Sequence, residues 1–179
     1  MCRCLRRRKW RSKLVEQEMK EKILVLGVGN LILSDEGAGV HLARRLQELD
    51  LPDCVEVQDG GTQGLELLGY MDDVAKLIIV DCVKAGEEPG SIYRFEPDAI
   101  DVIPKKYKIS FHDLGIYDFI RIAQAMEVLP PTVIFGIEPE TFAWGESLSP
   151  SVEAKMDKLE GFVLGEIEEG VRGLGAGGL

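Results

Sequence analysis

The sequence predicts an α/β protein: three layers, with a mostly parallel, twisted sheet of about five strands flanked by helices on both faces. Three observations carry this expectation. Residues 23–28, 77–80 and 132–137 are near-continuous apolar runs rich in β-branched side chains, the pattern of strands buried on both faces. Stretches with apolar residues at helical spacing alternate with those runs. Most connections are short, so successive strands are expected to pair side by side through crossover helices.

The first strand, Ile23 to Val28, runs into Gly27 and Gly29, which let the backbone turn sharply or approach a neighbour closely. Ser34 or Asp35 is placed to cap a helix that starts near Glu36 and buries Val40, Leu42, Ala43 and Leu46. Pro52 breaks the chain before a short strand at Val55, Glu56 and Val57. The turn Asp59-Gly60-Gly61-Thr62 hands over to a second helix with Leu65, Leu67, Leu68 and Met71 inward and Thr62 as its cap. The clearest strand, residues 76–81, ends on the carboxylate of Asp81.

After a turn at residues 86–90, Ser91 to Phe95 is expected to return as an antiparallel edge strand. Residues 97–109, with Pro97, Pro104 and three lysines, read as an irregular connection. Ser110 to Gly115, including His112, opens a third helix whose face is Ile116, Phe119, Ile120, Ala123 and Met126. Residues 132–137 form the last buried strand, and Ser149-Pro150 caps a final helix through Val152, Met156, Leu159, Val163 and Ile167.

At 179 residues the chain is long enough for one self-sufficient core. Its 45% apolar and 29% charged residues are those of an ordinary globular protein, and no apolar run approaches the roughly 20 residues that span a bilayer. The net charge of -10 disfavours nucleic acid or an anionic membrane as partner. The first eighteen residues run against that balance, with seven Lys or Arg against Glu16 and Glu18. They lack the apolar core of a secretory signal, and an Arg-rich lead fits a nucleic-acid tail or a transit peptide; the compact start at Met19 favours reading residues 1–18 as a disordered or untranslated leader. Residues 19–169 then form the single domain, and the glycine-rich residues 170–179 a flexible tail. Cys54 and Cys82 lie beside strand-like runs and read as reduced thiols in a cytoplasmic protein; no C-x-x-C pair is present.

Three polar residues fall where open α/β sheets place their ligands, beyond the strand C-terminal ends. Glu36 follows the first strand, Asp81 ends the central one, and His112 opens the third helix. Two carboxylates and an imidazole suit a divalent transition metal able to polarise a carbonyl or activate water. Taken singly each has an ordinary explanation: Glu36 at the positive end of a helix dipole, Asp81 ending a loop, His112 as a structural histidine. His41, at helical spacing on the first helix, reads as packing or surface. A dinucleotide site is disfavoured, because Ile32 stands where the fingerprint needs its third glycine and no acid closes the second strand at the expected distance of about 20 residues beyond the loop. No P-loop is present. Ser-His-Asp order, an H-E-x-x-H helix and paired D-[TS]-G motifs are also missing, which removes the common protease machineries.

The ordered set Gly27-x-Gly29-Asn30, Asp35-Glu36-Gly37-x-Gly39, Asp59-Gly60-Gly61-Thr62-x-Gly64, Val80-Asp81, Ser110-x-His112-x-x-Gly115, Gly136-Ile137-Glu138-Pro139 and Leu148-Ser149-Pro150 resembles the nickel-iron hydrogenase maturation endopeptidases. The motifs span residue 23 to about residue 160, and it is their order that makes the likeness specific. The resemblance implies a monomeric, cytoplasmic protease that removes a short C-terminal extension from the hydrogenase large-subunit precursor once nickel is loaded. By the same likeness Glu36, Asp81 and His112 contact nickel presented by the precursor rather than permanently bound. Asp59 matches a position tied to cleavage or substrate recognition, beside its simpler roles in turn formation and capping. Residues 61–68 resemble the branch serving uptake-type hydrogenases. Hydrolysis would use the metal, or water activated by Asp59 or Asp81. The rival expectation is a nickel-dependent checkpoint or chaperone that binds the precursor without cutting it; a nucleotide-binding oxidoreductase is a more distant third.

Overall fold

The computed structural model describes residues 21–98 and 113–176. The basic leader, Met19, most of the lysine-rich connection and His112 lie outside the described residues. Among the described residues, five strands form one sheet in the order β2-β1-β3-β5-β4. They are β1 (Lys22–Val28), β2 (Val55–Gly61), β3 (Val74–Cys82), β4 (Ile92–Phe95) and β5 (Thr132–Ile137). β1 pairs in parallel with β2 and β3, and β3 with β5, while β4 closes one edge antiparallel to β5, as the sequence predicts.

Side chains alternate across the sheet and divide the core in two. Ile23, Val25, Ile78 and Val80 meet helices α1 (Ala38–Gln47) and α3 (Pro150–Ala176) on one face. Leu24, Leu26, Leu77 and Ile79 meet helix α2 (Asp113–Ala125) and a 3-10 segment, Leu65–Tyr70, on the other. The apolar positions expected on α1 and α3 are all buried. Gly27 is where α1 presses on β1: a side chain there would collide with the Gly39 carbonyl oxygen and come within 2.6 Å of the Ala43 methyl group.

Several local expectations are corrected. The second helix is only a 3-10 segment preceded by Gly64, without a side-chain cap; Thr62 does not cap it, and Leu65 is exposed. A two-turn segment has room to turn only Leu67 and Met71 fully inward. Met126 falls just past the end of α2 and is exposed. Helix α3 does not stop at Ile167 but runs to Ala176, so the expected tail from residue 170 is largely helical. Its continuation is held by packing, which outweighs the low helix propensity of glycine. Val171 and Leu174 lie on the core, and a Cβ at Gly170 would come within 2.7 Å of Ile23 Cδ1. At the other end the predicted cap is present: Ser149 Oγ accepts from the Val152 amide at 3.4 Å. No described helix is long and apolar enough to cross a membrane.

Candidate active site at the strand C-terminal edge

The parallel strands deliver their C-terminal ends to one edge, and the sequence-predicted acids fall there. Beyond β1, Gly29 has a φ of +137, a conformation that excludes ordinary side chains; a Cβ there would also strike the Glu36 carbonyl oxygen. The Asn30 amide donates to that same carbonyl at 3.2 Å. The chain so folded presents a 3-10 turn, Ser34–Gly37, in which Asp35 and Glu36 are both buried.

Neither Ser34 nor Asp35 caps the following helix. Asp35 instead reaches across the molecule. Its Oδ2 accepts from the Glu140 and Thr141 amides at 2.9 and 3.0 Å, and its Oδ1 from the Ser149 amide at 2.7 Å. One carboxylate therefore fastens both ends of the loop between β5 and α3. The loop is further joined to residues 32–34: the Ser34 amide donates to the Gly145 carbonyl at 2.7 Å, and the Gly145 amide to the Ile32 carbonyl at 3.0 Å.

Asp81 sits near the end of β3, buried, with Oδ1 accepting the Cys82 amide at 2.7 Å. Glu138, immediately beyond β5, is likewise buried. It accepts from the Ala85 and Gly86 amides at 2.8 and 3.1 Å and from the Tyr93 hydroxyl at 2.6 Å, which fixes the chain leaving β3. Burial, and then the hydrogen bond to Glu138 and nearby negative charge, push the Tyr93 phenol up, so it remains a donor. Cys82 is surrounded by the same acids. Burial first, then the charges of Asp81, Asp35, Glu36 and Glu138, push its thiol far up. A thiol so held is protonated and is no nucleophile.

Asp59 lies near the end of β2 and differs from the others in being partly exposed, at 32% of its side chain. Its Oδ1 accepts from the Gly61 amide at 3.0 Å; the turn expected at residues 59–62 is corrected, since β2 runs on to Gly61 and the bond spans an irregularity where the pairing with β1 skips Gly60. Its Oδ2 accepts from Arg44 of α1 at 3.1 and 3.2 Å, a partner that the sequence reading did not pick out. Gly27 pairs with Asp59 on one side and Val80 on the other, so β2 and β3 stand about 10 Å apart. Alternation puts Asp81 in phase with Leu77 and Ile79, on the α2 side, whereas Asp59 follows Val57 on the α1 side. That placement rules out a proton-sharing dyad of Asp59 and Asp81, which needs oxygens about 3 Å apart.

The structure thus brings Glu36 and Asp81 to one edge, both within electrostatic reach of Cys82, with Asp59 on the same edge and the opposite face. His112 immediately precedes the first described residue of α2. Asp35, Glu138 and Arg44 are the additions. The first two stood inside motifs quoted from the sequence, but their tasks depend on partners distant in the chain.

Fold and edge together define an α/β protein whose candidate working surface is a carboxylate-lined row of strand ends. The sequence profile of the hydrogenase maturation protease family matches residues 40–166. The hydrogenase expression/formation protein HupD of Rhodobacter capsulatus is 38% identical over 140 residues, covering 76% of this chain and 67% of that one. The hydrogenase 2 maturation protease of Escherichia coli strain K12 is 36% identical over 151 residues, covering 83% and 92%. Among solved structures, the hydrogenase maturating endopeptidase HybD from E. coli superposes with a TM-score of 0.76 at 36% identity, over 83% of this chain and 93% of that one. The chain belongs to the hydrogenase maturation protease family, and is accordingly a hydrolase of the endopeptidase class.

Proposed function

We propose that this endopeptidase removes a C-terminal extension from the nickel-loaded large-subunit precursor of a nickel-iron hydrogenase, reading the metal on the precursor rather than keeping one of its own. The observation that carries the reading is the convergence of the buried carboxylates Glu36 and Asp81 on one sheet edge. With Asp35 and Glu138 close by, the edge concentrates negative charge and favours an incoming cation. Glu36, Asp81 and His112 supply oxygen and nitrogen donors of the kind a divalent transition metal accepts. Nickel held by the precursor would complete its coordination there, so that precursor without nickel offers nothing to bind.

Water activation falls to a carboxylate of this edge, Asp59 or Asp81. Arg44 and the Gly61 amide hold Asp59 in place. The names of the relatives, a hydrogenase 2 maturation protease and a hydrogenase maturating endopeptidase, support a hydrogenase precursor as substrate. Action as a monomer in the cytoplasm is part of the same proposal.

The test is a mass spectrum of a matched precursor, with and without nickel, after incubation with the chain. The expected result is loss of a C-terminal peptide with nickel alone, abolished by His112→Ala. Cleavage of nickel-free precursor at the same rate would sink the metal-reading half of the proposal. Binding without a mass change would sink the proteolytic half.

A further inference from the structure

The loop between β5 and α3 carries Trp144 with 82% of its surface exposed, beside Ile32 at 47%. An exposed indole on a slack loop would mean little; this loop is anything but slack. Asp35, fully buried, holds the amides of Glu140, Thr141 and Ser149, and Gly145 is bonded on both sides to residues 32–34. His41 of α1 adds a contact of 3.0 Å between Nε2 and the Glu146 carbonyl. The fold thus fixes the backbone that carries a large aromatic side chain and still leaves that side chain in water. An aromatic anchor on a backbone already held in place is the kind of group that dominates protein–protein contacts, because little backbone freedom is lost when it is covered.

Its place in the chain identifies what covers it. Asp35, which fastens the loop, is followed directly by Glu36 of the candidate active site, so a substrate seated on Glu36 passes beside this loop. We propose that Trp144 and Ile32 form the docking surface for the folded body of the precursor next to the bond being cut. This rests on the proposed function. Glu140 and Glu146, both exposed, bracket Trp144 in the loop. The complementary substrate surface is therefore an apolar spot bordered by Lys or Arg. Asp35 acts here as a positioning residue, coupling the anchor to the cleavage edge through a single turn of chain.

The chain contains two tryptophans, Trp10 and Trp144, so a Trp10→Phe background makes Trp144 the sole reporter. The experiment labels that full-length chain with fluorotryptophan and follows it by fluorine NMR as unlabelled, nickel-loaded precursor is added, alongside cleavage kinetics of Trp144→Ala and Trp144→Phe. We expect the resonance to shift or broaden. Trp144→Ala should raise KM about ten-fold with kcat within about two-fold, and Trp144→Phe should recover most of the loss. Because the side chain is exposed, thermal unfolding of both variants should match the parent. An unmoved resonance, or an unchanged KM in Trp144→Ala, overturns the docking surface while cleavage by the parent leaves the proteolytic reading standing. Failure of the parent to cleave overturns that reading instead, and the resonance then decides the docking surface by itself.

Discussion

Asp35 accepts three backbone amides with none of its own surface exposed, so its removal strands three donors at once, that of Ser149 buried and those of Glu140 and Thr141 partly so. Each unsatisfied buried group costs about 1–3 kcal/mol. Asp35→Ala is therefore expected to lose about 2 kcal/mol or more of stability, read as a lowered urea midpoint, together with precursor cleavage. A midpoint within error of the parent would show that water replaces the carboxylate. The role of Asp35 was not legible from its neighbours. An acid just ahead of a helix reads locally as a cap, and the local reading fails because a turn already closed by Leu33 and Asn30 leaves the carboxylate free to look elsewhere. Glu36 and Asp81 were legible for the opposite reason. An acid at the end of an apolar strand, or just past one, is placed by the strand itself, and parallel pairing then sends both to the same edge.

The elements show the same division. Strands β1, β3 and β5 are plain in the sequence because most of each is buried on both faces, so each contains a near-continuous apolar run. Helix α3 was foreseen in its first five turns and missed in its last, where glycines lower propensity but let the helix lie close on Ile23. The same helix contributes Glu166, which ties β3 and β4 to it. Lys76 donates to its Oε1 at 2.6 Å and Arg94 to its Oε2 at 2.9 Å. Burial alone would raise the Glu166 carboxyl, but the hydrogen bonds and charges of Lys76 and Arg94 overcome it and hold the group below its ordinary 4.5. A carboxyl depressed on folding adds stability that is present above the unfolded value and lost as pH falls through the folded one. Urea unfolding of the parent and Glu166→Gln should thus differ most near neutral pH, and the gap should narrow as pH falls below about 4.5. A gap independent of pH would mean that packing, not charge, makes the difference.

Across the whole molecule, alternation of strand and helix was enough to read three layers, because that pattern has few compact solutions. Nothing in local periodicity announces which loops meet, and the candidate site depends on such meetings: Asp59 with Arg44, Glu138 with Tyr93 and Ala85, Leu33 with Gly145. The Asp35 bonds are the extreme case, closing chain separations of 105, 106 and 114 residues. Such distant closures carry the largest loop entropy and form after the contacts that shorten them. On a growing polypeptide Asp35 emerges long before Ser149, so the candidate active-site edge has no finished shape until the start of α3 has been synthesised. The α2-side core, whose buried residues end at Ile134, can thus assemble ahead of the candidate active site, which is expected to take shape late in folding. Stopped-flow refolding of Asp35→Ala should accordingly give a φ-value near zero, with unfolding accelerated and folding hardly slowed. A value approaching one would place the Asp35 contacts in the nucleus and reverse that order.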